Sequence, residues 1–188
     1  MKLLLKSFNC KENTMFTRID VEKYFNAEKS LSLLFIAIGS IAIIIAIVFY
    51  LVVKTPIYKG IAFPLLVIAI IQLIAGSVVY ARTDAQRKDV VYKLDMNYSA
   101  IKEKEIPRME TVNKNFIIYR SVEMLLFLIG IILFFMYKNN PDKSLIFGIG
   151  IGLAIQAAIM FAGDSFAAKN AKNYLEGIKN YKSTELRL

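Results

Sequence analysis

Histidine is absent from the 188 residues. That removes the commonest general base, the commonest metal ligand and every Ser-His or Cys-His nucleophile pair. Tryptophan is absent too, so tyrosine and phenylalanine must serve as anchors at a membrane–water boundary. The single cysteine, Cys10, allows neither an intrachain disulfide nor a cysteine-based metal cluster. GIGIG at 148–152 has the glycine spacing of a dinucleotide loop, but it lies inside an apolar run with no preceding strand, so context excludes a phosphate cradle. The sequence therefore offers no catalytic residue, no metal ligand set and no cofactor-binding motif. A lipid-directed enzyme is disfavoured for the same reason.

Apolar residues are what the chain has in excess. They make up 56% of it, against about 45–50% in a soluble domain, and mean hydropathy is +0.49. The excess falls in four blocks. Residues 61–80, IAFPLLVIAIIQLIAGSVVY, carry no charge; at about 1.5 Å per residue they span the roughly 30 Å hydrocarbon core of a bilayer. The expected architecture is all-α: an integral membrane four-helix bundle of two transmembrane hairpins with cytoplasmic helical extensions.

The expected order along the chain is a leader with an interfacial helix (1–30), a first transmembrane hairpin (31–80), a cytoplasmic helical hairpin (81–116), a second transmembrane hairpin (117–163) and a cytoplasmic C-terminal helix (164–188). In the leader, MKLLLKSFNC holds too short an apolar run for a signal peptide, and Met15 is an alternative start. Asp20 is a candidate helix cap, with Tyr24 and Phe25 expected at the headgroup level. Spans one and two, 31–53 and 61–80, are joined by a turn over 54–60, with Pro64 in the first turn of span two, where its missing N–H costs little. Val91, Leu94, Tyr98 and Ile101 keep helical spacing to about residue 104; Pro107 breaks the helix, and Met109, Val112, Phe116 and Tyr119 resume it. The two stripes predict a protruding hairpin with facing apolar sides. Spans three and four, 117–137 and 144–163, flank a short turn. The tail carries its own stripe, Ala167, Ala171, Tyr174, Ile178 and Tyr181, and STELRL is expected to fray.

Lysine and arginine set the expected orientation. Six lie in the leader, nine in 81–120 and five after residue 163, against two in each short turn. By the positive-inside bias, both termini and the middle segment belong in the cytoplasm, with the spans expected in the inner, cytoplasmic membrane. The formal net charge of +9 then suits anionic lipid of the cytoplasmic leaflet. Interleaved acids such as Asp89, Glu103, Glu105 and Glu110 argue against a nucleic-acid partner.

A few polar residues fall within or beside the spans. Glu123 shares a stripe with Val112, Phe116, Tyr119 and Gly130, so it should face the bundle. A mid-membrane carboxylate costs about 2.5–3.5 kcal/mol, less near an interface. Arg120, Arg82 and Asp164 are expected at a comparable level, forming either a cation- or proton-sensitive cluster or an ion-pair girdle that locks helix register. Gln72 and Gln156 are expected to hydrogen-bond between helices, on faces of small residues. Aligning Ile71–Gln72 with Ile155–Gln156 superposes the two hairpins as a weak parallel repeat.

At YFNAEKS (24–30) and EIPRMETVNKNFIIYR (105–120) the chain resembles a family of small four-span bacterial membrane proteins. The resemblance covers most of the chain after Met15. It implies a bacterial membrane protein and brings no activity, substrate or cofactor. The expected function is non-enzymatic: a membrane-anchored interaction module that binds a protein partner or another copy of itself through 81–116, with Arg108, Glu110 and Lys114 exposed there. The alternative is a small transporter or oligomeric pore using Glu123.

Overall fold

The computed structural model describes residues 16–181. The readings of Cys10, Met15 and the STELRL tail lie outside them. The chain forms α1 (Arg18–Val48), α2 (Pro56–Met96), the single turn α3 (Tyr98–Ala100), α4 (Ile106–Tyr137) and α5 (Ser144–Asn180). The expected all-α class is what is found, and no strand occurs among the described residues. Four helices are long and apolar enough to cross a membrane, which makes this a multi-pass membrane protein. With 41 residues, α2 is about 60 Å long, twice a bilayer core, so much of it stands clear of the hydrocarbon.

Local chemistry explains the helix ends. Thr17, not Asp20, is the residue before α1; its backbone N–H donates to the Asp20 carboxylate at 2.8 Å. At the far end the helix widens into a π-turn at Phe49–Val53, and Lys54 adopts φ 60°. That left-handed residue reverses the chain at once, so α2 already begins at Pro56. The turn is thus shorter than 54–60, and Pro64 sits inside α2 rather than in its first turn. There its ring packs where a side chain on Gly152 would stand, 2.8 Å away. The long middle helix ends at Met96, and a second π-turn, Ile101–Glu105, leads into α4 with Pro107 in its first turn.

α2 and α5 run side by side in the same direction at the centre. α1 packs on α2 and, over a shorter length, on α5; α4 packs on α5. Gln72 and Gln156 meet between the central helices, and the parallel placement of the two hairpins fits the weak repeat. The relation is inexact, because α1 reaches α5 while no comparable α2–α4 contact forms.

Packing differs between the two ends. Through the apolar half most buried residues are small: Gly39, Ala42 and Ala46 on α1, Gly60, Ala62 and Ala69 on α2, Gly148, Gly152 and Ala157 on α5. Large apolar residues there, such as Ile44, Phe63, Ile74 and Leu125, point outward. In water such a surface would aggregate; in lipid it costs nothing, and close backbone approach supplies the cohesion. At the charged end the order reverses. Val21, Tyr24 and Phe25 of α1, Val90 and Leu94 of α2, Ile101 and Met109, and Ala171, Tyr174 and Ile178 of α5 form one buried core. There the hydrophobic effect operates as in a soluble protein. So 81–116 is not a bare stalk: its apolar stripes are covered by the start of α1 and the end of α5. Tyr24 and Phe25 are buried inside this head.

Candidate functional site: buried polar groups in three tiers

The first tier lies in the head. Glu105, 5% exposed at the end of the second π-turn, accepts two hydrogen bonds from the Arg108 guanidinium, 2.8 and 2.6 Å, and a third from the Tyr174 hydroxyl, 3.0 Å. The i, i+3 spacing on one helical face makes the bidentate pair possible. Tyr174 stacks on Tyr24, and the Tyr24 hydroxyl reaches toward Glu28 at 3.5 Å. Thr83 of α2 donates to the same carboxylate at 3.4 Å, with Arg82 4.0 Å from it. Four elements therefore meet through one polar network inside an apolar core.

Burial sets the titration of this tier. It raises the Glu28 carboxyl above its ordinary range, against the opposing pull of Arg82. It raises the Tyr24 and Tyr174 hydroxyls as well, helped by Glu28 at Tyr24 and by Glu105 at Tyr174. For Arg108, burial works against the charge, and the Glu105 hydrogen bonds more than offset it. At the surface, Lys29 binds Asp84, which raises the ammonium and lowers the carboxyl.

The second tier is about 15 Å further along α5, ten residues from Tyr174. Here Glu123 of α4, 5% exposed, meets the carboxyl of Asp164 of α5. Arg120 acts on both acids but stacks its guanidinium over Phe161, 5.2 Å from the ring centre. Both Glu123 oxygens and the Arg120 Nε are buried without a hydrogen-bond partner. The third tier, about 12 Å on, is the glutamine pair. Gln156 Nε2 donates to Gln72 Oε1 at 2.6 Å, and Gln72 Nε2 has no partner. Beyond it, glycine and alanine close the helices against one another. An apolar groove of about 630 Å³ at that end, beside Tyr50, Lys59, Phe63 and Leu145, opens outward and is remote from all three tiers.

Three members of the expected four-residue cluster thus come together, and Arg82 does not: it turns to Glu28. Glu105 is buried in the head, and Arg108, expected to be exposed, is half-buried beside it. Glu110 is half-exposed and pairs with Lys179 of α5 at 2.6 Å. Sequence reading missed Glu28, Thr83 and the role of Tyr174. A usable signal existed for Glu28, which continues the buried positions 21, 24, 25 and 32 at helical spacing. Among the described residues no three metal-ligating side chains converge.

Comparison with protein-family models, with curated proteins and with solved structures finds no match. The likeness at 24–30 and 105–120 therefore rests on those residues alone. Structurally the two stretches belong together: they carry Tyr24, Phe25, Glu28, Glu105, Arg108 and Met109, which meet in the head.

Proposed function

We propose that this is a bacterial inner-membrane protein that acts without catalysis as a membrane-anchored interaction module. Its head lies in the cytoplasm, together with both termini, as the lysine and arginine distribution favours. The observation that carries the docking role is the tip of the head. Ile101 and Glu105 are buried and pin the π-turn at both ends, while Lys102, Glu103 and Lys104 between them are exposed. Such a turn displays fixed charges on a firm base, and π-turns recur at functional positions. A protein with complementary charges, or the head of a second copy, suits this tip; anionic lipid suits the basic residues nearer the membrane.

The test uses the full chain in its membrane. A photocrosslinker at Lys102 or Lys104 should give a discrete adduct that the double change Lys102→Glu, Lys104→Glu abolishes. A periplasm-restricted reporter at Asn140 should be active. Absence of any adduct at the tip would sink the docking role, and a reporter active only in the cytoplasm would sink the orientation.

A second reading, a small transporter or oligomeric pore, is favoured by Glu123 alone. It calls for flux in proteoliposomes that Glu123→Gln removes. The close-packed glycine and alanine beyond the glutamine pair disfavour a path through one subunit, so this reading needs several copies.

A further inference from the structure

Glu123 is the anomaly of the fold. It is buried to 5% exposure, and neither oxygen meets a donor. A buried acceptor without a partner is costly in any protein. Its carboxyl lies within hydrogen-bonding reach of that of Asp164, and with both ionised the two are acceptor against acceptor, so a bond between them needs a cation or a proton. The nearest cation does not close the gap. Arg120 lies one turn earlier on α4 but stacks on Phe161, and no ion pair joins it to either acid among the described residues. α4 packs along its length on α5. The charged groups that face Glu123 are therefore Asp164 from α5 and Arg120 from its own helix.

We propose that Glu123 and Asp164 form a binding site for one small monovalent cation, an alkali ion or a proton, held between their carboxyl oxygens. Charge counting selects the class. Two carboxylates beside one guanidinium leave a single negative charge, which one positive charge cancels. A divalent ion would overshoot, and it seeks six or more oxygens where two carboxyl groups bring four. The site lies at the charged-end edge of the spans, one and a half turns or so from the start of span three, so an ion need not cross the membrane to reach it. The inference goes beyond the docking role and does not depend on it, nor on transport, because occupancy is measured without flux.

The experiment is thermal unfolding of the purified full chain in detergent micelles, for the wild type, Glu123→Gln and Asp164→Asn. Choline, sodium and potassium chloride are compared at equal ionic strength, and a pH series is run in choline chloride. Binding to the folded state alone raises the unfolding temperature with ion concentration. A rise with sodium or potassium that both variants lose identifies an alkali ion. No alkali response, with a pH dependence in the wild type that both variants flatten, identifies a proton. Asparagine at 164 and glutamine at 123 keep the side-chain volumes, and either variant alone suffices if the other fails to fold. Wild type and variant curves that run parallel in every salt and at every pH would overturn the site.

Discussion

The ring of Tyr24 stacks on the ring of Tyr174, centroids 4.2 Å apart and planes within 12°. One belongs to α1 and the other to α5, so this contact closes the head across most of the chain's length. It also joins two polar ends: Tyr174 serves Glu105 and Tyr24 reaches Glu28. Apolar burial and the polar network are thus made by the same pair of side chains.

Tyr174→Phe keeps the stack and removes one donor from a buried carboxylate. A hydrogen bond to a charged group contributes about 1.5–3 kcal/mol, and a loss of that order is expected. Tyr174→Ala removes the ring as well and should cost about 3–5 kcal/mol. Unfolding in detergent that ranks the two equally would contradict the stacked geometry.

The central helices should be intolerant of a single methyl group at two glycines. A Cβ on Gly60 would collide with the carbonyl oxygen of Leu145, and one on Gly148 with that of Ile57; both are backbone and cannot rotate away. At Gly39 the nearest atom, the Ala69 carbonyl oxygen, is 3.1 Å off. Gly60→Ala and Gly148→Ala should each lose about 1–3 kcal/mol or more. Gly39→Ala should stay within about 1 kcal/mol, since alanine's better helix propensity offsets a small adjustment. Unfolding midpoints of the three variants check the order.

The glutamine pair predicts a coupling rather than two separate losses. Gln72→Leu strands the Gln156 amide in lipid-like surroundings, and Gln156→Leu strands Gln72. The double change leaves nothing stranded. A double-mutant cycle should give a coupling near 0.6 kcal/mol and at most about 1.7 kcal/mol. Strict additivity would mean that the bond contributes nothing.

Glu28 gives the head a pH response of defined sign. Burial raises its folded value above the ordinary 4.5. The folded chain then holds this proton more tightly than the unfolded chain. The group's contribution is fully present below 4.5 and is lost as pH rises through the folded value. Glu28→Gln should therefore remove a decline in stability that begins near pH 4.5 on the way up. Asp84 runs the other way: Lys29 holds it below 3.8, so its contribution is lost as pH falls. Midpoints of wild type and Glu28→Gln that change with pH in parallel would refute the first statement.

The inward direction of Glu123 and the facing glutamines were legible because each sits among residues whose spacing marks a helix face. Burial of Glu105 was not, since a carboxylate paired with Arg108 at i, i+3 reads the same on a wet surface as inside a core. Nor was the partner of Arg82. A long arginine at the end of a span reaches in several directions, and the register of α1 against α2 decides which carboxylate it meets. The early start of α2 was hidden as well: Lys54 carries no mark of a left-handed turn, and only the geometry of reversal between two antiparallel helices imposes it.

Composition alone determined that four helices cross a membrane, because hydrocarbon admits only long uncharged runs whose backbone satisfies itself. It also placed the two short turns to within a few residues, because charges stay near water. Tertiary structure decided which helices are central, that the middle segment is roofed by the start of α1 and the end of α5, and that Glu123 meets Asp164. Those outcomes depend on how closely glycine faces let two backbones approach, a distance that no single helix records.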